Sequence, residues 1–404
     1  MRAMPAGIAP DAARRTATRA DRLTIVHVAS HRGVYRGGAV QLGRMAIGQT
    51  RRGHDVTVLA SRMRLLLHRR TFGDRRSWAP LSRAGVRMAF APMKQGRGAR
   101  ALGKLFDRGR VDVVHAHRDE ALQEAWLACE QRAESGGAHP ALVAQRGTTS
   151  PPPPSVAEIF RSPRVARIVA VAEAVKRALV EHADVDPAKI EVVYGSVDTT
   201  RFAPRPRDTA LRAQLGIPDD AFVVGSLSPY RVEKGLDDLL AAMTPLLRSR
   251  PDTHLVMIGA GVAKRLGARL GADAPRGLHL FEHQADVAAW LAAMDLTVSA
   301  ATDREGLSGV LRESLAAGVP VISTDCSGNG EIVRDGITGR LVPPGDIGAL
   351  GGALAWAADH RDEMAAMART GRRWVLDHCT LEAQAAALEA VYRGVLAERA
   401  APSG

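Results

Sequence analysis

The chain has 404 residues, too long for one ordinary core and suited to two domains of fewer than 200 residues each. Its 46% hydrophobic content is that of a soluble globular protein, and no stretch approaches the roughly 20 apolar residues that span a bilayer. The formal charge of +12 is uneven: residues 61–110 hold fourteen Lys or Arg against Asp74 and Asp107, which equals the charge of the whole chain.

Residues 1–20 carry scattered Arg and no apolar core, so they read as a disordered leader and not as a secretory signal. Leu23 to Ala29 is expected as a buried strand, followed by a loop with Gly33, Gly37 and Gly38, a helix from about Val40 to Arg52, and a second strand from His54 to Ala60. Strand, glycine-rich turn, helix and strand open a Rossmann-like βαβ unit. Gly37 and Gly38 leave room for a ligand phosphate at the helix start.

The basic segment 61–110 interleaves Arg62, Arg64, Arg69, Arg70, Arg75 and Arg76 with Leu65–Leu67, Phe72 and Trp78. That mixture favours an anionic membrane surface or anionic acceptor, where each charge adds about 1 kcal/mol. An Arg-rich solvated face is the rival reading. Nucleic acid is disfavoured, because aromatics make up only 4% and no binding motif appears. Val111 to His115 is a buried strand continuing into Ala116-His117, which places His117 at a carboxyl end, where open α/β sheets bind ligands. Ala141 to Gln145 is a strand ending in Arg146-Gly147, and Pro151–Pro154 then read as an extended loop near the acceptor side. Ile168 to Val171 begins a strand that leads to an amphipathic helix, and Phe202 to Pro206 reads as an interdomain linker.

The second half restarts the pattern: strands Ala221–Leu227, Thr253–Ile258, Leu278–Phe281 and Leu296–Ala300, with helices Leu236–Leu247 and Val287–Met294. Lys234 stands in the loop after the first of these strands, a place for a phosphate contact. Gly259-Ala-Gly261 invites a dinucleotide-binding reading, but Lys264 replaces the third glycine and no acid is read about twenty residues on at a strand end. Cys129, Cys326 and Cys379 have no metal or framework spacing, which suits a reducing, cytoplasmic setting. No Asp-x-Asp and no paired His or Cys at ligand spacing points to a metal.

Arg304-EGLSGVLRESLAAGVPVIST-Asp325 is the segment richest in chemistry. Glu305 lies in a glycine-containing loop, and Glu313 lies eight residues on, inside a helix. Ser308 is the expected N-cap, its hydroxyl accepting an orphan N–H; Gly318 and Pro320 stop the helix, and Val319 to Thr324 follows as a strand. A helix end with neighbouring acids suits a phosphate-bearing, polyhydroxylated ligand.

In this context the chain resembles the retaining GT-B glycosyltransferases of the family 4-like group (glycosyl transferases group 1), whose mark is an E-x7-E motif. That family builds glycogen, sucrose and bacterial envelope glycans from nucleotide-diphosphate sugars. The resemblance implies an α/β fold of two Rossmann-like domains facing across a cleft. The expected bounds are 21–203 for the acceptor-side domain and 204–380 for the nucleotide-sugar domain, with a helix at about 381–404 packing back on the first.

The resemblance also implies roles. Glu305 and the backbone of Gly306 would hold donor-sugar hydroxyls, Glu313 the ribose, the N–H groups near Leu307 and Ser308 the distal phosphate, and Lys234 the diphosphate. His117 would meet the donor sugar, so Glu305, His117 and Lys234 carry the catalytic expectation. The family pairs the Lys with an Arg five or six residues earlier; here Ser228 and Pro229 stand there and Arg231 is the nearest substitute. Glu331 and Arg146 are lesser candidates. Ala172 replaces the family's usual Ser, and Gly195-Ser196 replace its Asn-Gly. No cofactor is implied beyond the sugar donor. The expected activity is metal-independent transfer to a glycan or lipid-linked acceptor, at or near the inner membrane face. A non-catalytic sugar-nucleotide-binding protein and a nucleotide-sugar epimerase are the alternatives.

Overall fold

The computed structural model describes residues 21–31, 37–61 and 78–401. The expected leader, Gly33, and the basic stretch from Arg62 to Arg76 with Leu65–Leu67 and Phe72 lie outside the described residues.

Two parallel sheets organise the chain. The first contains β1 (Thr24–Ala29), β2 (Asp55–Ser61), β3 (Arg87–Ala91), β4 (Val113–His117), β5 (Ala141–Arg146), β6 (Val165–Ala170) and β7 (Ile190–Val192), in the order β3-β2-β1-β4-β5-β6-β7. The second contains β8 (Phe222–Leu227), β9 (Thr253–Ile258), β10 (Leu278–Phe281), β11 (Leu296–Ser299), β12 (Val321–Thr324) and β13 (Arg340–Val342), in the order β10-β9-β8-β11-β12-β13. Strands such as β4 and β8 are buried along their whole length because crossover helices cover both faces of a parallel sheet. This is the GT-B architecture expected from the sequence, two Rossmann-like units in one chain. In each sheet the strand order reverses once, between β1 and β4 and between β8 and β11. Ligands of such sheets bind outside the carboxyl ends at that reversal.

The helix Leu381–Ala400 lies on the first domain. Tyr392 is fully buried there, Arg52 Nε lies 2.7 Å from Glu389, and Val197 bridges to Thr380. Several elements were not expected from the sequence: β3, and the helices Arg97–Arg108, Asp119–Glu134 and Pro154–Arg161. The proline tract is a loop only through Pro153. Pro154 opens a helix, where its missing N–H costs nothing.

Trp78, at the edge of the basic segment, is buried in the core of the first domain, so its ring does not face outward. The helix Arg97–Arg108 likewise turns Ala99, Leu102 and Phe106 inward and leaves Arg97, Arg100, Lys104 and Arg108 exposed. Its outward face is therefore charged without being apolar. Among the described residues no helix is long and apolar enough to cross a membrane.

Candidate active site

The loop after β11 and the helix Gly309–Ala316 form one wall of the interdomain cleft. Glu305 forms an ion pair with Lys234, which sits in the short turn Val232–Lys234 after β8; both side chains are mostly buried. Ser308 occupies the N-cap position, but its hydroxyl takes no helix N–H, and its own N–H goes to Asn329 Oδ1 at 3.2 Å. The Ser308 N–H is therefore not free for a phosphate. The first-turn N–H groups beyond it lack intrahelical acceptors and give the wall its positive end.

Glu313 reaches across to the first domain. Its Oε1 lies 2.9 Å from Arg44 Nη2, while Arg44 Nη1 and Gln41 Nε2 donate to the Ser196 carbonyl at 2.7 and 2.8 Å. Arg44 and Gln41 both lie on the helix Gly37–Arg51, so one helix of the first domain grips its own Ser196 loop and the acid of the second domain. Neither residue is marked by any motif in the sequence. Arg312, one residue before Glu313, is buried, and burial lowers its pKa from the usual guanidinium value. It occupies the space that Gly195 leaves: a Cβ at position 195 would sit 2.2 Å from Arg312 Nη1. That accounts for a glycine at this position.

The opposing wall is the loop after β5. Arg146 is buried at the end of that strand, 3.2 Å from Asp119 and donating to the Ser150 carbonyl, so it shapes residues 147–150; burial lowers its pKa. Thr148 Oγ1 donates to the Arg304 carbonyl at 3.3 Å, and Thr149 and Ser327 hydroxyls lie 3.1 Å apart. Gly306 is pressed so close to Gly147 that a Cβ on it would lie 2.2 Å from the Gly147 carbonyl oxygen.

Glu331 does not line the cleft as a free acid. Its carboxylate accepts the N–H groups of Glu173 and Ala174, each at 2.9 Å, and the Tyr194 hydroxyl at 3.1 Å. These are the first N–H groups of the helix Glu173–Ala183, whose N-cap residue, Ala172, has no oxygen to offer. An acid from the second domain thus caps a helix of the first. Arg231 is half exposed and turns to Glu233 at 3.6 Å instead of joining Lys234.

Gly37 and Gly38 are exposed at the start of their helix, and a Cβ on Gly37 would meet nothing within 4 Å. His117 ends β4, buried, with Nε2 2.9 Å from His27 Nδ1. His27, His115 and His117 bring ring nitrogens within 4.8 Å of one another, a juxtaposition that sequence spacing did not show because His27 comes from β1. Burial lowers the pKa of His27 to about 4 and those of His115 and His117 well below the usual imidazole value. The dinucleotide reading fails on geometry. Gly259 and Gly261 follow β9, not the first strand β8, and an acid does stand at the end of β10, contrary to expectation. That acid, Glu282, is bonded to the N–H groups of Gly261 and Lys264 at 2.8 and 2.9 Å.

Two Rossmann-like domains with facing carboxyl ends define the class as GT-B, and comparison agrees. A glycosyltransferase from Rickettsia africae superposes with a TM-score of 0.76 at 19% identity, covering 93% of this chain and 99% of that one. Anabaena HepE in complex with UDP and glucose superposes equally well, at 18% identity over 92% of this chain and all of that one. In sequence, residues 35–201 match Glycosyltransferase Family 4 and residues 218–360 match Glycosyl transferases group 1. A D-inositol 3-phosphate glycosyltransferase of Thermobispora bispora is 30% identical over 72% of this chain and 74% of its own length. One from Streptomyces scabiei is 32% identical over 64% of this chain, which spans 63% of that relative. The chain belongs to the family 4-like, group 1 glycosyltransferases.

Proposed function

We propose that the chain is a retaining, metal-independent glycosyltransferase that moves a hexosyl group from a nucleotide-diphosphate sugar to a glycan or lipid-linked acceptor of the cell envelope. The observation that carries this reading is the pairing of Glu305 with Lys234 beside the start of the helix Gly309–Ala316, at the carboxyl ends of β8 and β11. A leaving diphosphate develops negative charge, and a cation at about 4 Å is worth on the order of 4 kcal/mol of Coulomb energy at an effective dielectric near 20. Lys234 and the helix end supply that charge, and Glu305 holds the ammonium while its second oxygen accepts from a sugar hydroxyl. Glu313, already held by Arg44, presents its remaining oxygen to the ribose. Retention follows from attack on the face the leaving group departs from, with the departing phosphate taking the acceptor's proton.

The relatives support the substrate class. Besides the inositol-phosphate enzymes they include a GDP-mannose-dependent phosphatidylinositol monomannoside mannosyltransferase of Mycolicibacterium smegmatis and a lipopolysaccharide core mannosyltransferase of Rhizobium meliloti. The exposed Arg97, Arg100, Lys104 and Arg108 suit an anionic acceptor or the inner membrane face by charge alone.

The test is transfer and hydrolysis with UDP- and GDP-sugars, read as release of nucleoside diphosphate. Lys234→Met is expected to lower kcat by about 10²–10³-fold, the cost of removing one preorganised donor to developing charge. Nucleotide binding without turnover, unchanged in Glu305→Gln, would leave a non-catalytic binding protein. An epimerised free sugar nucleotide would mark an epimerase.

A further inference from the structure

The buried polar groups beneath His117 form a chain with a direction. His27 Nε2 lies 2.7 Å from Gln49 Oε1, Gln49 Nε2 lies 3.2 Å from the Tyr392 hydroxyl, and that hydroxyl lies 2.6 Å from His115 Nδ1. His27 Nδ1 lies 2.9 Å from His117 Nε2. At the far end, His115 Nε2 and Gln145 Oε1 are each buried without a hydrogen-bond partner. The rings of His115 and His117 stack with centroids 4.5 Å apart.

Each proton can now be placed. The Gln49 amide sets the direction: its N–H faces the Tyr392 oxygen, so the Tyr392 O–H is left to donate to His115 Nδ1. The Gln49 oxygen then accepts from His27 Nε2–H, which leaves His27 Nδ1 as a lone pair that accepts from His117 Nε2–H. A neutral imidazole carries one hydrogen. His117 is therefore left with a bare Nδ1, which accepts no hydrogen bond among the described residues.

We propose that Gln49, His27 and Tyr392 are positioning residues that lock His117 in the Nε2–H tautomer, making its Nδ1 a fixed acceptor for one hydroxyl of the donor sugar. This rests on the reading of the cleft as a nucleotide-sugar site. Burial keeps the rings neutral, so polarity is set by tautomer and not by charge. A site with a fixed acceptor discriminates against a sugar lacking the matching hydroxyl, because the acceptor is then buried unpaired. Tyr392 lies on the helix Leu381–Ala400, so the return of that helix to the first domain is what completes the chain.

The experiment is histidine-selective ¹⁵N labelling of the full chain, with two-bond proton–nitrogen correlation and His117→Asn to assign the signal. We expect His117 Nε2 to bear the proton with Nδ1 bare, and a mixture of tautomers in Gln49→Leu and His27→Phe. The opposite tautomer in the unmutated chain overturns the proposal, as does a metal ion bound to these nitrogens. The kinetic arm uses UDP-glucose, GDP-mannose and their monodeoxy analogues. Gln49→Leu should lower kcat/KM about tenfold for the parent sugar, one hydrogen bond's worth, and shrink its advantage over the deoxy analogue at one ring position. An unchanged ratio at every position overturns the positioning role. The assigned tautomer with no turnover of any nucleotide sugar would instead refute the glycosyltransferase reading while the proton arrangement stands.

Discussion

Gly306→Ala tests whether the two walls of the cleft work only when pressed together. The added methyl would lie 2.2 Å from the Gly147 carbonyl oxygen, whereas a carbon meets a carbonyl oxygen comfortably at about 3.3 Å, so the loops must part by about 1 Å. The obstacle is backbone on both sides, and no side chain can swing away to relieve it. A 1 Å separation carries the Thr148–Arg304 and Thr149–Ser327 contacts, now 3.3 and 3.1 Å, beyond hydrogen-bonding range. At about 1 kcal/mol each, their loss disfavours the closed arrangement by about 2 kcal/mol, or roughly 30-fold. The expected result is a kcat/KM lower by roughly that factor, a wider particle in small-angle scattering, and an unchanged thermal midpoint, since neither core is touched. Nucleotide affinity, which on the proposed function rests on Lys234, Glu313 and the helix end, should change little. Wild-type turnover with unchanged scattering would refute the claim that this contact holds the productive arrangement.

Three other outcomes follow from the geometry. Glu331→Gln leaves one carbonyl oxygen where two carboxylate oxygens capped the helix Glu173–Ala183, and should cost about 1–2 kcal/mol in urea unfolding; Ala172→Ser, which returns a local cap, should recover part of it, and no recovery would show that capping is not the role of Glu331. A double-mutant cycle on Arg44→Met and Glu313→Gln should give a coupling of more than about 1 kcal/mol, because the pair is nearly buried; a value near zero would mean the domains do not rely on it. The buried histidines predict acid sensitivity. Their folded pKa values lie below the unfolded value of about 6.5, so their contribution is complete above that pH and is lost as pH falls towards about 4, where His27 titrates. At pH 5.5 each neutral ring should have lost between about 1 and 2 kcal/mol, and the three together about 4 kcal/mol relative to pH 7.5. Unfolding free energies that are flat across this range would rule that out.

The parts of the fold that sequence could show are those set by local composition. β1, β4, β8, β9 and β11 are short, mostly apolar runs, as strands covered on both faces of a parallel sheet are; the acidic loop and its helix announce themselves through Gly306, the N-cap position and Gly318-Pro320. β3 and the helix Arg97–Arg108 went unseen because their apolar residues are scattered among Arg and Lys, so charge dominated a segment whose inward face is ordinary core. The site divides along the same line. Lys234 and Glu305 lie in loops of one domain and could be anticipated, whereas Arg44, Glu331 and Tyr392 owe their partners to where the second domain and the last helix come to rest on the first. The two departures at Ala172 and Gly195 look like losses in a sequence. In space each is matched by a side chain from across the cleft: Glu331 supplies the cap that Ala172 lacks, and Arg312 fills the volume that Gly195 vacates. Both compensations act between domains, so both stabilise the apposed arrangement that the proposed function requires for Glu305, Lys234 and His117 to meet one ligand.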